Sequence, residues 1–417
     1  MPPSGDRLSG PNPASTNNFL EERLPGELPS GAPLAPPGSE AARYDPGGFA
    51  HLLPLDGVRG LAISLILVCH LFSANNVTSS RLLAVASGIR ESLWVGVDLF
   101  FALSGFLITG ILFDALHSRH FLRNFYGRRC VRIFPLYYLA LATLAAMSVP
   151  LAMHWDGFQW VLLTYLQNTP LMIGHSVPRP LSDLTGHLWS LGLEEQFYLF
   201  WPMIVLLVRD RRRLMTTALL LSSVSLLLRI GLMAHGGGVE YTYKMLPCRM
   251  DGLLIGGWLA LAVRGPQREP FIRRGTGVFL GAMALILGYS LYARGFDWET
   301  DRIINAVGYT VTAIASTGLI AMTLAPLGRA ARFFSSSVLR LLGRYSYGIY
   351  VWHMILGRMV TTPVRNLAAH FVHGKLSLLL AGGFAATVVS ILLGILSYHL
   401  FEVHFLRLKR YFAYGRT

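Results

Sequence analysis

Charge is what this sequence has least of. Only 14% of its 417 residues are Asp, Glu, Lys or Arg, and 53% are hydrophobic. An ordinary soluble domain carries about 25% charge, so a water-soluble globule of this size is excluded. Acidic residues are scarcer than basic ones, 22 against 36, which leaves a formal net charge of +14. In a soluble chain that excess would suggest nucleic acid. Here the Lys and Arg residues sit in loops on one side of alternate apolar segments, so the positive-inside rule accounts for them and no nucleic-acid partner is expected. The three cysteines, Cys69, Cys130 and Cys248, are odd in number and far apart. Without a C-x-x-C or zinc-type spacing they argue neither a disulfide framework nor a metal site. Residues 1–48 lack any apolar block and hold ten of the 22 prolines. That excludes a signal peptide or span there and predicts a disordered tail.

What remains is a series of long apolar runs. They predict an all-α polytopic membrane protein with about ten transmembrane helices, near 53–73, 93–116, 133–151, 188–208, 214–234, 247–264, 275–294, 303–325, 344–361 and 377–401. Each run is long enough to cross ~30 Å of hydrocarbon at ~1.5 Å per residue, alone or with its flanks. The piece at 158–173 is short for a span, and loop parity makes it re-entrant or interfacial. Basic loops around 117–132, 209–213, 264–274 and 329–344 predict both termini in the cytoplasm. The expected division is a cytoplasmic tail at 1–48, a membrane domain at 49–405 and a basic cytoplasmic tail at 406–417.

Ionisable residues inside spans cost about 2.5–3.5 kcal/mol each on insertion scales, so each needs a reason. In PLDGVRGLAISLILVCHLF (54–72), Asp56, Arg59 and His70 share one helix face, with Arg59 and His70 roughly 16 Å apart along the axis. Arg59 alone could snorkel to headgroups, and His70 alone could be a buried structural histidine. VGVDLFFALSGFLITG (95–110) offers glycines for close helix approach, with Asp98 and Ser104 as its polar candidates. In LWSLGLEEQFYLFWP (188–202), Ser190 and Glu194 lie on one face, and Glu195 lies on that of Tyr198. RRCVR (128–132) sets Arg129 and Arg132 three apart, which suits either topology determination or a phosphate clamp. In RYSYGIYVWH (344–353), Ser346, Tyr350 and His353 share a face.

Together these stretches, over about residues 50–410, resemble the acyltransferase-3 family of integral-membrane enzymes. The matching patterns are Arg59 and His70 in an Arg-x10-His spacing, FFALSG, the Arg-x-x-Arg pair Arg129 and Arg132, WSLGLEEQFY, RMDGLLIGG and YSYGIYVWH. Two departures stand out. His404 occupies a position where the family usually has Pro, and the chain stops after its last span, where some members continue into an esterase-like domain.

The resemblance implies transfer of an acyl group, often acetyl, from acyl-CoA to a hydroxyl of a sugar, glycan, glycolipid or other small acceptor. It implies no tightly bound cofactor and no metal, with acyl-CoA as a donor substrate. The expected catalytic residues are His70 as general base, Glu194 and Arg59. The expected binding residues are Arg129, Arg132, Asp56, Ser104, Trp189, Ser190, Gln196, Tyr198 and His353. The expected location is the cell membrane. The competing reading is a proton-coupled transporter or carrier in which His70 and Glu194 form a relay; the lack of inverted repeats counts against it.

Overall fold

The apolar runs fold as helices because a backbone inside lipid must satisfy its own hydrogen bonds. The computed structural model describes residues 53–72, 87–170, 173, 177–293, 296–297, 299–325, 328–372 and 374–414. The expected tail at 1–48 lies outside the described residues. Ten principal helices follow one another: α1 (Leu53–Leu71), α2 (Val95–Asp114), α3 (Phe121–Met147), α4 (Trp189–Val208), α5 (Arg211–Ala234), α6 (Leu246–Ala262), α7 (Arg268–Ala293), α8 (Tyr309–Thr323), α9 (Ser337–Trp352) and α10 (Lys375–Ser397). Among the described residues nine helical stretches are long and apolar enough to cross a membrane. The tenth predicted span, α9, continues through wider and tighter turns to Val360 but carries Arg340, Arg344 and Arg358. The 158–173 piece makes only the short helix Phe158–Leu163 before the chain turns away at Tyr165, whose φ is +57°.

The polarity of the molecule is inverted relative to a soluble protein. Leu207, Leu285 and Leu291 are 80%, 66% and 82% exposed, while Arg229, Arg249, Asp98 and Asp251 are all within 1% of full burial. An apolar exterior around charged pairs is what a lipid solvent selects. Arg229 on α5 pairs with Asp251 on α6 at 2.7 Å, and Arg249 on α6 pairs with Asp98 on α2 at 2.9 Å. At the far end of α2, Asp114 meets Arg264 at 2.6 Å.

Two close crossings set the frame. A Cβ on Gly105 would collide with the Leu253 carbonyl, and one on Gly256 with that of Ala102, so α2 and α6 touch backbone to backbone. Gly60 and Gly343 do the same for α1 and α9. Lipid supplies no hydrophobic drive between helices, so this close van der Waals approach is a main source of their cohesion.

Two boundaries differ from the sequence expectation. Helix α3 begins at Phe121 and not near 133, so the arginine-rich stretch read as a loop is helical. It can enter the bundle because Arg129 lies over the rings of Phe125 and Tyr198, at 5.9 and 5.6 Å, and so does not face lipid. The last described residues also pack. Asn124 Nδ2 donates to the Ala413 carbonyl at 2.9 Å, the Phe412 ring lies against Gly127, and Tyr414 is buried beneath Arg128.

Candidate active site

Five helices wall a cavity of about 120 Å³. From α1 comes Arg59; from α2 Phe100 and Ser104; from α3 Arg129 and Arg132; from α4 Ser190, Glu194, Glu195 and Tyr198; from α9 Ser346, Tyr347 and Tyr350. Each polar group gets there by helical spacing. Arg129 and Arg132, or Ser190 and Glu194, lie about one turn apart and present one face.

The hydroxyls around this cavity are already committed. Ser104 Oγ donates to Glu194 Oε1 at 2.7 Å, and the Tyr198 hydroxyl bonds the same carboxylate. Ser346 Oγ donates to the Gly343 carbonyl at 2.8 Å, and Tyr347 to that of Ile133 at 2.6 Å. The Tyr350 hydroxyl donates to the His187 carbonyl at 2.8 Å, which leaves Ser190 Oγ, 2.6 Å away, to donate to Tyr350. With those protons spent, the donors that remain for a negative charge in the cavity are guanidinium groups. Arg59 uses Nη1 on Asp56 Oδ1 at 2.7 Å and keeps its other N–H groups. Arg129 and Arg132 have no carboxylate partner within ion-pair distance among the described residues. Glu195 Oε1 is buried with no hydrogen-bond partner among them.

Beyond the Tyr350 wall lies a second polar group, at the other end of α1. His70 Nδ1 is 2.9 Å from His353 Nε2, with ring planes 10° apart. His353 Nδ1 is 2.6 Å from the Tyr350 carbonyl. His187 packs edge-on against His353, centroids 4.8 Å apart, with its Nε2 3.2 Å from the Val351 carbonyl. Tyr350 therefore connects the two regions, through its hydroxyl to Ser190 and through its carbonyl to the histidines.

The residues singled out from sequence are thus sorted by place. Arg59, Ser104, Arg129, Arg132, Ser190, Glu194 and Tyr198 converge on the cavity. Asp56 stands behind Arg59 as its ion partner. His70 and His353 meet each other outside the cavity lining, and Glu194 bonds Ser104 and not His70. Two expected binding residues face elsewhere. Gln196 is two residues past Glu194, about 200° around the helix, and donates to the Tyr165 carbonyl at 2.9 Å and to Asn168 Oδ1 at 2.7 Å. Trp189 is buried against Tyr243 and Phe101. The sequence pattern left His187 and Tyr347 unmarked. His187 precedes Ser190 by three residues, but its contacts lie on α9, more than 160 residues away in the chain.

A family model for an acyltransferase domain matches residues 53–399. The chain is 30% identical over 388 residues to the protein YrhL of Bacillus subtilis (strain 168), covering 86% of this chain and 54% of that one. It is 28% identical over 334 residues to the peptidoglycan O-acetyltransferase OatA of Listeria monocytogenes, covering 75% and 50%. It is 26% identical over 328 residues to the O-acetyltransferase OatA of Staphylococcus aureus, with the same coverage. The chain thus spans about half the length of the curated relatives it matches. No solved structure matches it.

Proposed function

The chain belongs to the acyltransferase-3 family, and from that premise we propose that it is a membrane O-acyltransferase that moves an acetyl group from acyl-CoA to a hydroxyl of a glycan or other sugar-bearing acceptor. One observation carries the reading. The cavity's uncommitted donors are all cationic, and a single residue, Tyr350, links its wall to the pair formed by half-buried His70 on α1 and buried His353 at the end of α9.

In this reading Arg59, Arg129 and Arg132 hold the anionic end of the donor, where phosphate oxygens accept charge-assisted hydrogen bonds. A cavity of about 120 Å³ is below the ~300 Å³ of ordinary ligand pockets, so it takes the phosphate-bearing end of the donor and not the whole molecule, and the thioester extends toward His70, roughly 16 Å along α1. His70 is the general base. It removes the acceptor hydroxyl proton as that oxygen adds to the thioester carbonyl. The carbon–sulfur bond then breaks, the thiolate leaves, and the imidazolium returns the proton to sulfur, giving an ester and free CoA thiol. Glu194, held by Ser104, keeps the arginine cluster near electrical balance. Both termini in the cytoplasm and the protein in the cell membrane belong to the same proposal, with Arg59 toward the cytoplasm.

The names of the relatives, which specify O-acetyl transfer and in two cases peptidoglycan, favour acetyl as the group moved and a cell-wall glycan as the acceptor class. Purified protein in nanodiscs, given labelled acetyl-CoA and a panel of hydroxyl-bearing glycans, should yield an alkali-labile labelled ester on the acceptor. No ester with any acceptor, together with proton-coupled flux in proteoliposomes, would replace this reading with the carrier.

A further inference from the structure

We infer that His353 is a positioning residue that decides which ring nitrogen of His70 carries the proton, leaving Nε2 of His70 as the atom that accepts one. The inference rests on the proposal that His70 is the base, and it assigns His353 a role other than the substrate contact expected from sequence.

Counting ring protons fixes both tautomers. His353 Nδ1 lies 2.6 Å from the Tyr350 carbonyl oxygen, which can only accept. Nδ1 must therefore carry hydrogen. A neutral imidazole has one ring proton, so His353 Nε2 presents a lone pair. That lone pair faces His70 Nδ1 at 2.9 Å, a normal hydrogen-bond distance and one at which two lone pairs would repel. His70 Nδ1 therefore carries hydrogen and donates it to His353. With its one proton placed, His70 has its free lone pair on Nε2. The nitrogen that reacts is set by the bond its sibling makes.

The surroundings hold this chain in one geometry. The two rings lie 10° from parallel with centroids 5.1 Å apart. His353 is fully buried, and His187 covers its face edge-on at 4.8 Å. Tyr350, whose carbonyl starts the chain, is fixed at its other end by Ser190 and the His187 carbonyl. The bond also serves the charged state. When Nε2 takes a proton, Nδ1–H still donates to His353, now as a charge-assisted bond that strengthens as the reaction proceeds. His353 touches no reacting atom and acts through His70.

The test reads the tautomer directly. Full-length protein labelled with ¹⁵N in its histidine rings is examined in nanodiscs, with the His70 signals identified by their loss in His70→Ala. The expected wild-type spectrum shows a protonated Nδ1 and a bare Nε2 for His70. In His353→Phe the His70 proton should redistribute toward Nε2, and acetyl transfer at saturating donor should fall roughly 10–100-fold, part of the ~10²–10⁴ a positioned base contributes. In His353→Gln, whose side-chain carbonyl can accept, the Nδ1–H tautomer and most of the rate should return. A protonated Nε2 in the wild type, or an unchanged tautomer in His353→Phe, overturns the inference. If His353→Phe does not fold, the wild-type spectrum still decides. If the wild type transfers no acetyl group, the functional reading fails while the tautomer result stands or falls by itself.

Discussion

Removing one half of a buried ion pair on α5 and α6 should be far worse than removing both. Arg229 and Asp251 are 0% and 1% exposed. Their contact is bidentate, Nη2 to Oδ2 at 2.7 Å and Nη1 to Oδ1 at 3.1 Å, and Thr310 Oγ1 adds a third bond to Asp251 Oδ2 at 2.6 Å. In Asp251→Leu the guanidinium stays buried without its counter-ion, at a cost of about 3–5 kcal/mol. Unfolding entropy of about 2.1 cal/mol/K per residue over the roughly 340 described residues gives about 0.7 kcal/mol per kelvin, so the midpoint should fall by about 4–7 °C. The double variant Arg229→Met with Asp251→Leu replaces the pair by apolar side chains of similar volume, and pairs so replaced are often neutral or better. It should recover most of the loss. Thermal unfolding in one detergent, followed by tryptophan fluorescence, measures all four corners of the cycle. If the double variant is as unstable as the sum of the two singles, the pair is not coupled and the argument from an uncompensated charge is wrong.

Other consequences concern the cavity and its frame. Arg129→Ala should raise the apparent KM for acyl-CoA about ten- to a hundredfold, the value of one or two charge-assisted bonds, with Arg129→Lys intermediate; steady-state kinetics at saturating acceptor measures this. Gln196→Ala should cost about 1–3 kcal/mol of stability, because it strips the donor from the Tyr165 carbonyl and Asn168. Its KM for acyl-CoA should stay within about twofold, since that side chain faces away from the cavity. Gly105→Leu should abolish folded, monodisperse protein on size-exclusion chromatography because the side chain would meet the Leu253 carbonyl. Gly281→Leu, where nothing lies within 4 Å, should behave as wild type.

The spans were legible because a bilayer imposes a length and a polarity that composition reveals directly. The start of α3 was not, because an arginine run reads as a loop unless its partners are known. Tyr198, which lies under Arg129, belongs to another helix. The cavity was largely legible for the same reason that its motifs are local. Arg129 and Arg132, or Ser190 and Glu194, are neighbours at helical pitch before any tertiary fold is considered. Gln196 is singled out by its motif alone, and helical pitch turns it about 200° from Glu194. The His70–His353 contact joins residues 283 positions apart. Each histidine could be marked as costly, but the bond that orients one by the other needed the crossing of α1 and α9, which the backbone contacts of Gly60 and Gly343 fix.

The central claim is that His70 is the base for acyl transfer from acyl-CoA to a hydroxyl. Its most direct test is the rate of labelled ester formation from acetyl-CoA by wild type and His70→Ala, purified side by side and matched in unfolding midpoint. Wild type should form the ester and the variant should lose at least ~10²-fold in rate, with acyl-CoA binding retained through Arg59, Arg129 and Arg132. Full activity in folded His70→Ala would contradict it.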